Sequence, residues 1–174
     1  MYQATQVEET LGAVMGVHHQ TLTLETLDGF QFIDITDQIA DIVAAAGIEQ
    51  GWINVQTQHT TTAIIINEHE PLLLEDMKEM FERIAPQGHS YRHNDFEIRT
   101  VNMQADESPN GHSHCRSLFL RASETINIVA GKMQLGRWQR IFFLELDCPR
   151  QRQISVMVMG QSNARYRIVR NGKP

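Results

Sequence analysis

Threonine and glutamate alternate with leucine along Thr21-Leu22-Thr23-Leu24-Glu25-Thr26-Leu27, the period of a half-buried strand. Asp28-Gly29 follows, a hairpin-turn dipeptide, and Phe30 to Ile33 reads as the returning strand. Thr36 is a candidate N-cap for a helix that places Ile39, Ile42, Val43 and Ala46 on one face, with Gly47 as its C′ residue. Trp52 to Thr57 and Thr60 to Ile66 are rich in β-branched residues and read as strands. A second helix starts at Pro71 and repeats Leu73, Met77, Met80, Phe81 and Ile84 at helical spacing. Further runs at Ser117 to Arg121, Thr125 to Val129, Arg140 to Leu146 and Ile154 to Met159 read as strands. Short strands with two helices predict a mainly β or α+β class. The expected form is a compact antiparallel β-sandwich with two principal flanking helices, not alternating βαβ units.

Composition narrows the class. The chain has 174 residues and 41% hydrophobic content, with no repeats, low-complexity tracts or dividing linker, which predicts one globular domain. No apolar stretch approaches the roughly 18 residues of a membrane span. The first residues have neither a basic nor an apolar region of a signal peptide. With only Cys115 and Cys148 to form a bridge, a cytoplasmic location is expected, with no membrane partner. Charge is uneven: 7 Lys+Arg against 19 Asp+Glu up to Gly136, then 8 against 2. The net charge of −6 argues against nucleic acid. Arg137, Arg140, Arg150 and Arg152 read either as solvated strand edges or as holders of an anionic substrate, since a guanidinium matches phosphate oxygens.

The histidines suggest chemistry. Pro86 to Gly111 shows no periodicity, and an internal stretch of that length is usually functional or disordered. It carries His89, Tyr91 and His93 and leads into His112-Ser113-His114-Cys115. In an extended strand His112 and His114 share a face about 7 Å apart, which suits two imidazoles on one ion. His59 opens Thr60-Thr61-Thr62, hydroxyls that orient imidazoles or bind anionic oxygens; alone it reads as a hydrogen-bonded structural histidine. Asn67-Glu68-His69-Glu70 offers amide and carboxylate groups, or simply an acidic helix start. His18 and His19 read as exposed residues near a strand start, and Cys115 as a buried thiol. There is no G-x-S-x-G, Gly-rich phosphate loop, H-E-x-x-H or C-x-x-C.

Several spaced elements resemble the YjbQ-like family. His59-Thr60-Thr61, Asn67-Glu68 and Asp76 are similar to its opening signature, and Tyr91-x-His93 and Asn110-Gly111-His112-x-His114 to its middle. Gly131-x-x-x-Leu135-Gly136-x-Trp138-Gln139 resembles its most recognisable stretch, and Glu145-x-Asp147-x-Pro149-Arg150-x-Arg152 its close. The likeness runs from about Leu22 to Gly160 and departs at Thr62 and His112. It leaves residues 1–18 as an extension of unassigned role and 19–174 as a single domain.

The resemblance implies a β-sandwich that assembles as a homotrimer around a polar pocket. His59, His93 and His114 are its expected metal-associated residues. Three neutral imidazoles with an open position suit a catalytic divalent ion, zinc foremost, with magnesium or manganese as alternatives. The expected partner is a small phosphorylated metabolite, and thiamine-phosphate synthase activity, as a main or a side reaction, is the named candidate. Glu68 or Asp76 would orient a ligand or act as base. Thr61, Asn67, His112, Arg137, Gln139, Arg140, Arg150 and Arg152 would bind substrate. A non-catalytic metal- or metabolite-binding trimer and a metal-dependent hydrolase are the alternatives.

Overall fold

Alternating β-branched residues on β3 and β8 build one wall of the protein. A computed structural model describes residues 10–168. Within them β1 (Thr10–Glu25), β8 (Gln151–Ile168), β3 (Ile48–Thr57), β5 (Ser123–Val129) and β6 (Lys132–Met133) form a five-stranded sheet in that order. β2 (Gln31–Asp34), β7 (Gln139–Glu145) and β4 (Thr62–Glu68) form a three-stranded one, and every pairing is antiparallel. Ile53 and Val55 of β3 and Ile154, Val156 and Val158 of β8 point inward and pack with Ile64, Ile141 and Phe143 of the smaller sheet. The result is the α+β sandwich that the strand pattern predicts.

β7 is buried on both faces. Ile141 and Phe143 join the central core, while Phe142 and Leu144 form a second cluster with Ala63 and Leu146, against which Phe32, Leu74 and Leu120 pack. That is why its sequence is a continuous apolar run instead of an alternating one. Leu74 belongs to α2 (Pro71–Ile84), which begins with proline at N1 and is capped by the Glu70 carboxylate, accepting from the N–H groups of Leu72 and Leu73. α1 (Thr36–Ala46) adds Ile39, Ile42 and Val43 to the central core and ends at Gly47 in the left-handed conformation. No described helix is long and apolar enough to cross a membrane.

Six expectations need correction. Thr21–Leu27 and Phe30–Ile33 are not a hairpin: β1 pairs with β8 and β2 with β7, in different sheets. The Asp28-Gly29 turn closes on side chains, with Leu27 N–H donating to Gln31 Oε1 and Gly29 N–H to Asp28 Oδ1. Thr36 is the first helical residue and not the cap. Its N–H and hydroxyl both donate to Asp34 Oδ1, while its Oγ1 accepts from Ile141 N–H. His112 and His114 lie in a short helix, α3 (Gly111–Ser117), started by Asn110 C=O accepting from Ser113 and His114, so they point to different sides. Ser117–Arg121 is a turn continuing from α3, held by Phe119 N–H to Arg116 C=O and Leu120 N–H to Ser117 C=O. Cys115 is half-buried, and His18 and His19 sit inside β1 and not near its start. Residues 1–9 lie outside the described residues, whereas Thr10–His18 are part of β1.

Where β3 meets β8, Gly51 lies opposite Gly160, which in turn lies opposite Gly16 of β1. A Cβ on Gly51 or Gly160 would collide with the facing backbone, so β3 and β8 approach there too closely to admit one, while a Cβ on Gly16 would meet the Ile48 side chain.

Candidate functional site

One end of the sandwich is polar. The loop between β3 and β4 carries His59, and the hydroxyls of Thr57 and Thr62 hydrogen-bond across its base at 2.5 Å. His59 Nε2 accepts from Gln153 N–H at 2.8 Å, which assigns the ring proton to Nδ1 in the neutral form. Beside it, the turn from β7 to β8 is anchored by a buried ion pair. Arg152 Nη2 and Nε donate to the two oxygens of Glu145 at 2.5 and 2.6 Å. Glu145 also accepts from Thr26 Oγ1 and the N–H groups of Leu146 and Asp147, so its lone pairs are engaged. Asp147 accepts from Asn110 Nδ2 at 3.3 Å and from Arg150 Nη2 at 3.0 Å, and the Arg150 guanidinium also donates to the Cys148 thiol.

The third wall is the long aperiodic segment, which is ordered by Arg99. Its guanidinium donates to Glu107 Oε1 at 2.5 Å and to the carbonyls of His93, Val101 and Asn102. A single 3-10 turn, Arg92–Asn94, presents His93 against His114 of α3 with ring centroids 4.7 Å apart, edge to face. Gly111 permits this approach. A Cβ there would stand 2.5 Å from Tyr91 Cβ, and its N–H donates to Asn94 Oδ1 at 2.8 Å. His93 Nε2 is buried without a partner; Glu107 Oε1, at 3.7 Å, is too far for a hydrogen bond. Asn110 Oδ1 is likewise unpaired. The three walls enclose a cleft of about 810 Å³.

The electrostatics favour neutral imidazoles. Burial lowers the pKa of His59, reinforced by the Arg152 guanidinium, and burial with the proximity of His93 lowers that of His114. The Arg99 hydrogen bond holds the Glu107 carboxyl below its ordinary value. At neutral pH the cleft thus offers ring nitrogens to a ligand beside paired arginines and carboxylates.

A model of the family described as "UPF0047 protein YjbQ-like" matches residues 20–161. The chain belongs to this family. It is 41% identical over 150 residues to a UPF0047 protein of Methanothermobacter thermautotrophicus, covering 86% of this chain and 97% of that one. With the UPF0047 protein YugU of Bacillus subtilis it shares 31% over 142 residues, covering 81% and 98%. Among solved structures it is similar to a YbjQ-like protein of unknown function from Sulfolobus solfataricus, with a TM-score of 0.76, 34% identity and 84% and 99% coverage. Hypothetical protein APE1520 of Aeropyrum pernix gives 0.73, 30%, 82% and 98%.

The UPF0047-like motif residues divide into two groups. His59, Thr61, His93, His114, Arg150 and Arg152 line the cleft. His112 lies behind it, 3% exposed and within 6.5 Å of the Tyr91 ring centroid, with Nδ1 unpaired and its pKa lowered by burial. The others lie at the opposite end of the β4–β7 ladder, which runs from Thr62 opposite Glu145 to Glu68 opposite Gln139. Six residues of strand span about 20 Å. There Asn67 faces Met77, Glu68 and Asp76 are exposed, and Gln139 Oε1 accepts from Gly136 N–H. Arg140 pairs with Asp34 and Asp37, and Arg137 stacks on Trp138. Within the chain these residues do not reach the cleft histidines. Conversely, Arg99 and Glu107 shape the cleft without any sequence signal, because their separation belongs to no regular element. Asn110 and Asp147 were visible only as motif letters.

Among the described residues no three His, Cys, Asp or Glu side chains converge as a set that could hold a metal ion. His93 and His114, adjacent and with His93 Nε2 unpaired, have the donor chemistry for a borderline ion; His59 Nε2 is taken by Gln153 N–H.

Proposed function

We propose that the cleft is the site of a metal-assisted enzyme acting on a small phosphorylated metabolite, with thiamine-phosphate synthesis as the named candidate reaction. The observation that carries this reading is the His93–His114 ring pair, with His93 Nε2 unpaired, in a polar cleft that also contains His59 and Arg150. His93 and His114 would hold the ion, zinc foremost. Bound there, it supplies Lewis acidity toward a phosphoryl oxygen. His59 donates through Nδ1–H to a ligand oxygen, and the half-exposed Arg150 guanidinium, oriented by Asp147, binds the anion. Thr61, hydrogen-bonded to Arg152, steadies the floor.

The test is pyrophosphate release from a pyrimidine diphosphate and thiazole phosphate, with metal content measured on the same samples. Wild type is expected to turn over and to hold metal, and His114→Ala to lose both. Equal turnover by the two proteins removes His114 from the reaction.

The proposal includes assembly as a homotrimer. Its support is the outer face of the five-stranded sheet, where Met15, Val17, Met157 and Trp52 are exposed together. Light scattering is expected to give three times the chain mass, and a monomer at micromolar concentration would contradict this.

A further inference from the structure

The polar cleft has an apolar annex. A second cavity of about 500 Å³ adjoins it, and the two share His59, Thr60 and His114. On the far side of those residues Leu118, Leu120, Ala122 and Cys115 enter the lining, together with Thr62, Ser117 and Arg121, whose guanidinium pairs with Glu124. Leu118 is 82% exposed, an uncommon position for a leucine beside a polar site, and nothing in the described residues covers it. Leu120 is held from below by the second hydrophobic cluster, so the annex has a fixed apolar floor. The short α3 that delivers His114 to the cleft therefore also delivers, through the turn after it, the annex wall.

We infer that cleft and annex form one bipartite site for a small amphipathic anion, its charged head among the cleft residues and its apolar body on Leu118 and Leu120. His59 and His114 then stand at the linkage between the two halves. This rests on the anion-binding reading above and adds a requirement to it: the ligand's uncharged part is apolar and compact, and Leu118 and Ala122 are specificity determinants. A purely polar metabolite would leave the annex wet and gain nothing from it. Continuity across three shared residues is the reason for assigning the annex to the same ligand and not to a separate one.

The experiment uses titration calorimetry on the full chain with phenyl phosphate, glycerol phosphate and inorganic phosphate. Phenyl phosphate is expected to bind about tenfold more tightly than glycerol phosphate, the gain from burying roughly 60 Å² of apolar surface. Leu118→Asn and Ala122→Gln, uncharged changes at exposed positions, should each abolish that preference. Equal affinity for the two esters, alongside measurable phosphate binding, overturns the bipartite site and leaves the anion-binding reading intact. A preference that survives both substitutions overturns the placement of the apolar body. Absence of binding by all three anions overturns the anion-binding reading and this inference with it.

Discussion

The two ends of the β4–β7 ladder carry similar side chains and treat them in opposite ways. At the far end, Asp34 collects the Thr36 N–H and hydroxyl, Arg140 Nε and His69 Nδ1. Burial alone would raise its pKa, but the Arg140 and Thr36 hydrogen bonds outweigh it and hold the carboxyl well below the usual range. Each partner there answers another. At the cleft end, His93 Nε2, Asn110 Oδ1 and His112 Nδ1 are buried and unanswered. Buried polar atoms without partners cost about 1–3 kcal/mol each, so an end that leaves several open is organised for something other than stability. The far end reads as scaffold and the cleft end as site.

The sharpest way to break that contrast is the buried Arg152–Glu145 pair at the cleft end. Arg152→Ala leaves Glu145 charged and buried, and urea denaturation is expected to show a loss of about 3–5 kcal/mol. The double change Arg152→Met with Glu145→Leu should recover most of it, because no buried charge then remains. If the single change is harmless, the floor of the cleft is not built on this pair.

Gly111→Ala comes next. Its Cβ must displace Tyr91, and overpacking of this kind costs about 1–3 kcal/mol. The His93–His114 contact should open with it, read as loss of the mutual ring-current shifts in proton NMR. Unchanged rings would show that Tyr91 yields without moving α3.

Asp34→Asn should cost about 1–2 kcal/mol at neutral pH. Because the folded pKa is depressed, Asp34's contribution is fully present above the unfolded value near 3.9 and fades as pH falls below it. Chemical denaturation of wild type and variant should therefore converge in acid. A gap that does not shrink between pH 5 and pH 2 would mean the carboxylate's charge is not what stabilises.

The smallest effect on stability belongs to the residues most exposed to functional loss. His93→Phe removes an unpaired buried nitrogen and should change stability by no more than about 1 kcal/mol, in the stabilising direction, while ending metal retention. A large destabilisation would place His93 with the scaffold.

Much of this was legible in the chain. α2 was readable to the residue at its start because Pro71 and the Leu73–Met77–Phe81 spacing are local signals. The sandwich followed from strand number and brevity. The partner of β1 was not legible, since Asp28-Gly29 announces a turn but not which sheet the chain enters next. His112-Ser113-His114 fits either a strand or a helix. The choice was made by Gly111 packing on Tyr91 and by the Asn110 carbonyl, both tertiary facts. The same ambiguity hid which histidine faces the cleft. Arg99 shows the opposite limit: its guanidinium makes four hydrogen bonds to a loop with no period, and no pattern in sequence registers that.

The row Gly16–Gly160–Gly51 bears on how the larger sheet assembles. A one-residue slip of β8 would bring Met159 or Gln161 into a space that admits no Cβ, besides turning the strand's apolar side outward. Misaligned pairings are thus penalised at this point of contact, which acts as a key for register: a correctly aligned strand fits it and a shifted one does not.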